Sequence, residues 1–214
     1  MKYPRTPHLP WSPGATRDDR IMNSVEPLLD TDIVITEKID GSNLCFTKRD
    51  VFARSHAGPP GHPSFDQAKA KHAEINYRLL ETVQVFMEYT YAVHSIEYTK
   101  MQSFFWVIGV LVADTWASFP AVGGWASVLN LPTVPVLYTG RVSSRTELQC
   151  LIDKLAVRKS SLGGPQEGLV VRCVDNFHTL DFPAYVAKYV RADHIQTDEH
   201  WSRNWRKAEI HVPG

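Results

Sequence analysis

The sequence predicts an α+β fold of mainly antiparallel sheets flanked by helices. Three observations predict it. Short apolar runs of strand length, rich in β-branched and aromatic residues, recur at 32–38, 83–89, 104–113, 167–174 and 185–190. Single helical stretches interrupt them, two of which open on Ser-x-x-Gln or Ser-x-x-Glu capping boxes. No heptad run, internal repeat or low-complexity tract is visible. With 214 residues, 43% of them hydrophobic, the chain has material for a sizeable core and reads as one domain over 1–214.

Residues 1–20 are rich in Pro, Arg and His, which predicts an extended arm packed on the domain. The strand at 32–38 leads into Lys38-Ile39-Asp40-Gly41, a tight turn, and then the alternating run Leu44, Phe46, so a hairpin is expected there. The loop Gly58–Pro63 ends at Ser64, whose spacing to Gln67 predicts a capped helix through about 82. A strand Val83–Tyr89 follows, then a buried strand at 104–113, a short helix at 120–130 and a strand Val134–Tyr138. Ser144 and Glu147 open a helix with Leu148, Leu151, Ile152 and Leu155 on one face. Gly163-Gly164-Pro165 then turns the chain into the strand at 167–174, and Tyr185–Val190 is the last.

Composition excludes several classes. Twenty-three basic residues balance twenty-three acidic ones, which argues against coating nucleic acid through overall charge. A local basic surface remains open: between Arg141 and Arg172 six basic residues face three acidic ones, and Arg203, Arg206 and Lys207 follow. Solvated helix faces account equally well for Lys154, Arg158 and Lys159. Cys45, Cys150 and Cys173 are odd in number and widely spaced, which fits reduced thiols rather than a disulfide framework or zinc site. None of the nine histidines falls at a zinc-ligand spacing. No apolar run reaches eighteen residues and no signal-peptide stretch opens the chain, so a cytoplasmic protein without a membrane span is expected.

The chemistry is concentrated in Thr36-Glu37-Lys38-Ile39-Asp40-Gly41-Ser42-Asn43. A lysine at a strand end beside a carboxylate can serve as a covalent nucleophile once its proton is removed. By itself the segment is equally a surface hairpin whose Asp-Gly makes the turn. Four further blocks follow in order: Phe86-Met87-Glu88, Phe104-Phe105-Trp106-Val107-Ile108-Gly109, Glu167-Gly168-Leu169-Val170-Val171-Arg172, and Ala187-Lys188-Tyr189-Val190-Arg191.

In order and spacing the five blocks resemble the covalent nucleotidyltransferases, an ATP-grasp-like ligase fold, over about 30–195. Within them the chain looks most like the ATP-dependent RNA ligases, in particular the adenylyltransferase domain of the phage RNA ligase 2 type. The resemblance implies that Lys38 accepts AMP from ATP, that AMP passes to a 5′-phosphate, and that a 3′-hydroxyl seals the strand. It implies Mg²⁺ or Mn²⁺ held by Asp40, Glu88 and Glu167, with Lys188 on the α-phosphate. The implied catalytic set is Lys38, Asp40, Glu88, Glu167 and Lys188. Nucleotide contacts are expected from Glu37, Lys38, Ile39, Arg54, Glu88, Phe105, Glu167 and Lys188, with Phe105 stacked on adenine and Arg54 on a phosphate or 3′-OH end. A Phe-Phe-Trp-Val run is ordinarily core, so the stacking role rests on resemblance alone.

The fifth block departs from the common Lys-x-Lys form: the second position is Val190, and Arg191 alternates to the other face. His94-Ser95-Ile96 is also found in some RNA ligases, where it is expected to shape the nucleotide pocket; a hydrogen-bonded structural histidine is the other reading. The rival functions are a DNA ligase, a GTP-using capping enzyme, or a non-catalytic domain binding nucleotide or nucleic-acid ends. Only 23 residues follow Arg191, too few for an OB domain or for the carboxy-terminal domain of the RNA ligase 2 type. A monomeric minimal ligase, a truncated piece, or an enzyme gripping nicked duplex RNA or an RNA/DNA hybrid through a partner protein are the resulting expectations.

Overall fold

The computed structural model describes residues 1–192 and 205–211; Arg203 and the end of the resembling span, 193–195, lie outside them. Among the described residues ten strands form two antiparallel sheets. In chain order they are β1 (Ile33–Lys38), β2 (Ser42–Phe46), β3 (Val51–Ala53), β4 (Val83–Tyr89), β5 (Phe105–Val112), β6 (Thr115–Trp116), β7 (Val136–Gly140), β8 (Gly168–Cys173), β9 (Phe177–His178) and β10 (Val186–Val190). The helices are α1 (Asp66–Ile75), α2 (Phe119–Leu129), α3 (Arg145–Ala156) and the single turn α4 (Phe182–Tyr185). The smaller sheet runs β10-β8-β1-β7 and the larger β3-β2-β4-β5-β6-β9. An α+β architecture of antiparallel sheets with flanking helices is therefore what the residues build.

Each sheet buries one face against helices and turns the other toward its partner. In β1 the odd residues Ile33 and Ile35 join Leu148, Ile152 and Leu155 of α3, together with Leu169, Val171 and Ala187. The larger sheet packs Leu44, Val85, Met87, Phe105 and Val107 against Ala68 and Ile75 of α1 and Val122, Ala126 and Leu129 of α2. A third cluster, Phe86, Trp116, Phe177, Phe182 and Val186, ties the two sheets together at one end. The period of two on each strand thus leaves the even residues of β1, β8 and β10 facing the space between the sheets.

Several expectations need correction. β1 and β2 do not form a hairpin: β1 pairs with β7 and β8, while β2 pairs with β3 and β4. Residues 39–41 are the crossover between sheets. Gly41 permits it, because a Cβ there would sit 2.7 Å from the Tyr89 carbonyl oxygen. Ser64 does not cap α1. A 3-10 turn precedes the helix, and the His62 side chain accepts from Ser64 N at its start. Ser64 is buried, and its carbonyl accepts a bond from the Tyr89 hydroxyl at 2.9 Å. Helix α1 stops at Ile75 instead of continuing to about 82, because a 3-10 turn at 76–78 drives Leu79 into the core. The strand expected at Val134–Tyr138 begins two residues later, after the Pro135 carbonyl accepts from Glu37 N. Ser144 caps the helix as read, accepting from Glu147 N, while the Glu147 side chain reaches back one residue further than a capping box requires and accepts from Ser143 N at 2.8 Å.

The amino-terminal arm completes the smaller sheet. Lys188 N donates to Pro7 O and Leu9 N to Lys188 O, both at 2.8 Å, and Gly14 N donates to Val190 O at 2.9 Å. The arm thereby covers β10, which would otherwise be an unpaired edge. Its Tyr3 ring enters the inter-sheet cluster, with centroids 5.3 Å from Phe86 and 5.4 Å from both Trp116 and Phe182.

Candidate active site

The space between the sheets is a cleft of about 910 Å³. Alternation along β1 aims Val34, Thr36 and Lys38 to one side, and Lys38 comes last, where the strand leaves the sheet. Register places Lys38 opposite Gly168, so Glu167, one residue earlier on β8's approach, lies beside it. Lys38 Nζ donates to Glu167 Oε1 at 2.6 Å. Gly168 lets β10 lie close on the other side of β8: a Cβ there would overlap the Tyr189 carbonyl oxygen and push β10 away. Lys188 reaches the same cleft from β10, and Glu88 enters it from β4 on the facing sheet, opposite Asn43 and Trp106. Arg54, just past β3, lines the mouth and is exposed.

The electrostatics follow from bringing these groups together. Burial pushes the Glu88 carboxyl up to about 8; Glu167 and Asp40 add to the effect, while Lys38 and Arg54 oppose it. Burial alone would depress Lys38, but Glu167, Glu88 and Asp40 outweigh it and hold the amine above its ordinary value. Lys188 goes the other way: burial and the nearby Lys38 lower it, despite Asp19. Without a nucleotide, then, Lys38 is a charged ammonium clamped by a carboxylate, and Glu88 keeps its proton near neutrality.

Not every expected residue arrives at the cleft. Asp40 Oδ2 accepts from Ser95 N at 2.7 Å and Ile96 N at 2.9 Å, while Asp40 N donates to the Tyr98 hydroxyl. Its side chain therefore pins the 94–98 loop, because the chain crosses between sheets at this point and period two no longer applies. Among the described residues no three His, Cys, Asp or Glu side chains form a cluster able to hold a metal. Of the expected triad, Glu88 lines the cleft, Glu167 lies against Lys38, and Asp40 is engaged by the 94–98 loop. The Glu37 carboxylate accepts from Ser160 Oγ and from Ser161 N, although the residue also borders the cleft. Ile39 is 3% exposed and belongs to the larger sheet's core while edging the cleft.

Phe105 is also corrected. The ring lies in the core, 5.1 Å from Tyr89 and 6.1 Å from Phe46, and does not line the cleft. The β4–β5 bulge at Phe86/Met87 decides which residues of this strand face inward, and Ile108 is the one that does. Phe105→Ala is expected to cost about 3–5 kcal/mol of stability, as for ring loss from a packed core. Denaturant titration measures this, and the folded fraction should keep its nucleotide requirement. Arg191 donates its backbone N–H to Glu167 O and does not border the cleft. His94 does border it, sharing a hydrogen bond of 3.2 Å with Ser42 Oγ. Glu97 pairs with Arg206 at the surface.

The cleft also contains residues that sequence reasoning passed over. Asn43 has a buried Oδ1 with no partner, a polar atom aimed where a ligand would sit. Its signal was its place on the strand that leaves the lysine segment. Arg172 is 5% exposed and donates to the Cys173 and Ala117 carbonyls, closing the inner end between the rings of Phe119 and Phe177. Arm residues Tyr3, Arg5, Thr6 and Asp19 line the cleft too, a placement with no local signal in the sequence.

A family model described as RNA ligase matches residues 31–190. Among solved structures, a Naegleria gruberi RNA ligase mutant with ATP and Mn superposes with a TM-score of 0.54 at 14% identity, over 79% of this chain and 52% of that one. The same enzyme with PPi gives 0.54 at 16% identity, over the same 79% and 52%. A mutant with AMP and Mn gives 0.56 at 14% identity, again over 79% and 52%. The chain thus spans about half the length of these structures, and at this identity the likeness shows the fold. No curated protein matches in sequence. Among the described residues no helix is long and apolar enough to cross a membrane.

Proposed function

The chain belongs to the RNA ligase family, and from that premise we propose that it is an ATP-dependent RNA ligase working through a lysyl-AMP formed on Lys38. One observation carries the reading. Lys38, Glu88 and Lys188 come from three separate strands and line a single cleft, and Glu167, just ahead of β8, is hydrogen-bonded to Lys38 Nζ at 2.6 Å. Such a set has little structural purpose by itself, since clustering buried charges costs solvation energy.

In the first step Lys38 Nζ attacks the α-phosphorus of ATP; the N–P bond forms, the bond to the bridging oxygen breaks, and pyrophosphate leaves with its electron pair. The attacking form is the neutral amine: the ammonium first gives one proton to Glu167 Oε1, already hydrogen-bonded to Nζ. The second proton, lost as the phosphoramidate forms, goes to the departing pyrophosphate or to solvent. Lys188 faces the same space and would neutralise the α-phosphate. Asn43, with its unpartnered oxygen, is suited to a ribose hydroxyl. The base would occupy the apolar inner part between Ile108 and Val170. Phosphoryl transfer depends mainly on such positioning and charge compensation.

Glu88 and Glu167 suit Mg²⁺ or Mn²⁺: a half-buried carboxylate driven to keep a proton by burial and a neighbouring carboxylate is one that a cation can relieve. When bound, the metal would offset the acids that hold Lys38 charged and would polarise the phosphate. AMP then passes to an RNA 5′-phosphate, and a 3′-hydroxyl displaces it. Nicked duplex RNA or an RNA/DNA hybrid is the proposed substrate.

The test is incubation with labelled ATP and Mg²⁺ or Mn²⁺. An alkali-stable AMP adduct that is labile to acid and to acidic hydroxylamine is expected, followed by sealing of a nick with RNA at the 3′-OH side. Labelling by GTP in its place would indicate capping chemistry, sealing only of all-DNA nicks a DNA ligase, and no adduct a non-catalytic domain.

A further inference from the structure

The amino-terminal arm does more than cover a sheet edge. Its backbone brackets Lys188 through two hydrogen bonds, Lys188 N to Pro7 O and Leu9 N to Lys188 O. Lys188 is thereby held between β8 on one side and the arm on the other, with His8 in parallel register beside it. Eleven residues on from His8, the arm returns to the same lysine. Asp19 Oδ1 lies 3.5 Å from Lys188 Nζ and 3.4 Å from His8 Nε2.

The Asp19 carboxylate is itself fixed. Its Oδ2 accepts from Thr16 N at 3.1 Å and Thr16 Oγ1 at 2.9 Å, closing a small turn. His8 is anchored from its other nitrogen, which shares a 2.8 Å hydrogen bond with Ser12 Oγ; Ser12 Oγ in turn accepts from Val190 N at 2.9 Å. A connected set thus runs from β10 through Ser12, His8 and Asp19 back to the Lys188 ammonium.

We infer that Asp19 is a positioning residue for nucleotide binding, acting through Lys188: it holds the ammonium at the cleft so that the α-phosphate meets a fixed cation. The inference rests on the ligase reading of the cleft and extends it to a residue outside the five sequence blocks. Lysine carries a flexible four-carbon stem, and its use as a phosphate contact depends on something restricting that stem. The groups facing Lys188 are Asp19, His8, Lys38 and Glu167. Lys38 repels it, and Glu167 is engaged by Lys38 at 2.6 Å. Burial, with Lys188 adding to it, holds His8 at about 4, so the ring is neutral near pH 7 and does not compete for Asp19 as a cation. Asp19 is then the carboxylate that faces Lys188 without a closer cationic partner of its own among the described residues.

A double-mutant cycle tests this. Affinity for ATP without metal and the single-turnover rate of adduct formation are measured in wild type, Asp19→Asn, Lys188→Ala and the double variant. Asp19→Asn is expected to weaken ATP binding about 5- to 20-fold in the native background and less than 2-fold when Lys188 is already Ala, the coupling expected of a close charge pair. Asp19→Glu should recover most of the affinity. Should Asp19→Asn not fold, Asp19→Glu and Asp19→Ser enter the same cycle.

Equal losses in both backgrounds would mean the arm acts structurally, and no loss in either would mean Asp19 is idle; each overturns the inference. A wild-type chain that binds ATP and shows the coupling but forms no adduct upholds Asp19 and overturns the ligase reading. A wild-type chain that binds no ATP overturns both.

Discussion

Replacing Lys38 with alanine is expected to abolish the AMP adduct, to at least three orders of magnitude below wild type, while the chain still folds and still binds ATP. The reason is chemical. In the mechanism proposed above the covalent bond is made by Nζ, and no other amine stands beside a carboxylate at 2.6 Å in this cleft. Lys188 shares the space but is paired with Asp19 at 3.5 Å. Lys38→Arg should fail equally, because a guanidinium restores charge and hydrogen bonding to Glu167 yet cannot lose its proton to become a nucleophile. The two variants together separate charge from nucleophilicity. Gel or mass detection of AMP on the protein reads the result, with circular dichroism to verify folding. An adduct that persists in Lys38→Ala would place the nucleophile elsewhere.

How far the sequence discloses this site depends on the kind of constraint each residue obeys. Lys38, Glu88, Glu167 and Lys188 lie on or next to regular strands, where period two and an apolar flank give a position away; Lys38, Glu88 and Lys188 line one cleft, and Glu167 is hydrogen-bonded to Lys38. Asp40 lies three positions from the next strand's second residue, in a crossover whose direction depends on which sheet β2 joins. Local patterning suits a hairpin and a crossover alike, so the side chain's outward turn to Ser95 and Ile96 was not legible. Phe105 differs again. A bulge set by the facing strand shifts the inward positions of β5, and a bulge is a tertiary decision that aromatic composition does not announce. The arm is the extreme case: His8, Asp19 and Lys188 are brought together by contacts spanning almost the whole chain. Fold class, by contrast, needed only the alternation of short strands and capped helices, which is local and therefore visible.

Glu88 supplies the second large effect, and it is one of pH and metal together. Its carboxyl is pushed from 4.5 up to about 8, first by burial and then by Glu167 and Asp40, against the smaller downward pull of Lys38 and Arg54. The folded chain therefore keeps a proton that the unfolded chain releases between about pH 4.5 and 8. Where the folded state binds more protons, stability falls as pH rises, so this group's contribution is fully present below 4.5 and lost by the time the pH passes 8. The metal-free wild type should accordingly melt several degrees lower at pH 8.5 than Glu88→Gln, on a scale of roughly 2–4 °C per kcal/mol for a chain of this size. Near pH 5 the two should melt together. Mn²⁺ should raise the wild-type melting temperature at pH 8.5, because the cation takes the proton's place, and should leave Glu88→Gln nearly unmoved. The same linkage sets the direction for chemistry: at limiting Mn²⁺, adduct formation climbs as pH approaches 8, since the metal must displace the Glu88 proton to bind. Differential melting across pH, with and without Mn²⁺, measures both halves. Parallel pH profiles for wild type and Glu88→Gln would remove Glu88 from the metal site, and Glu167 alone would then have to hold the ion.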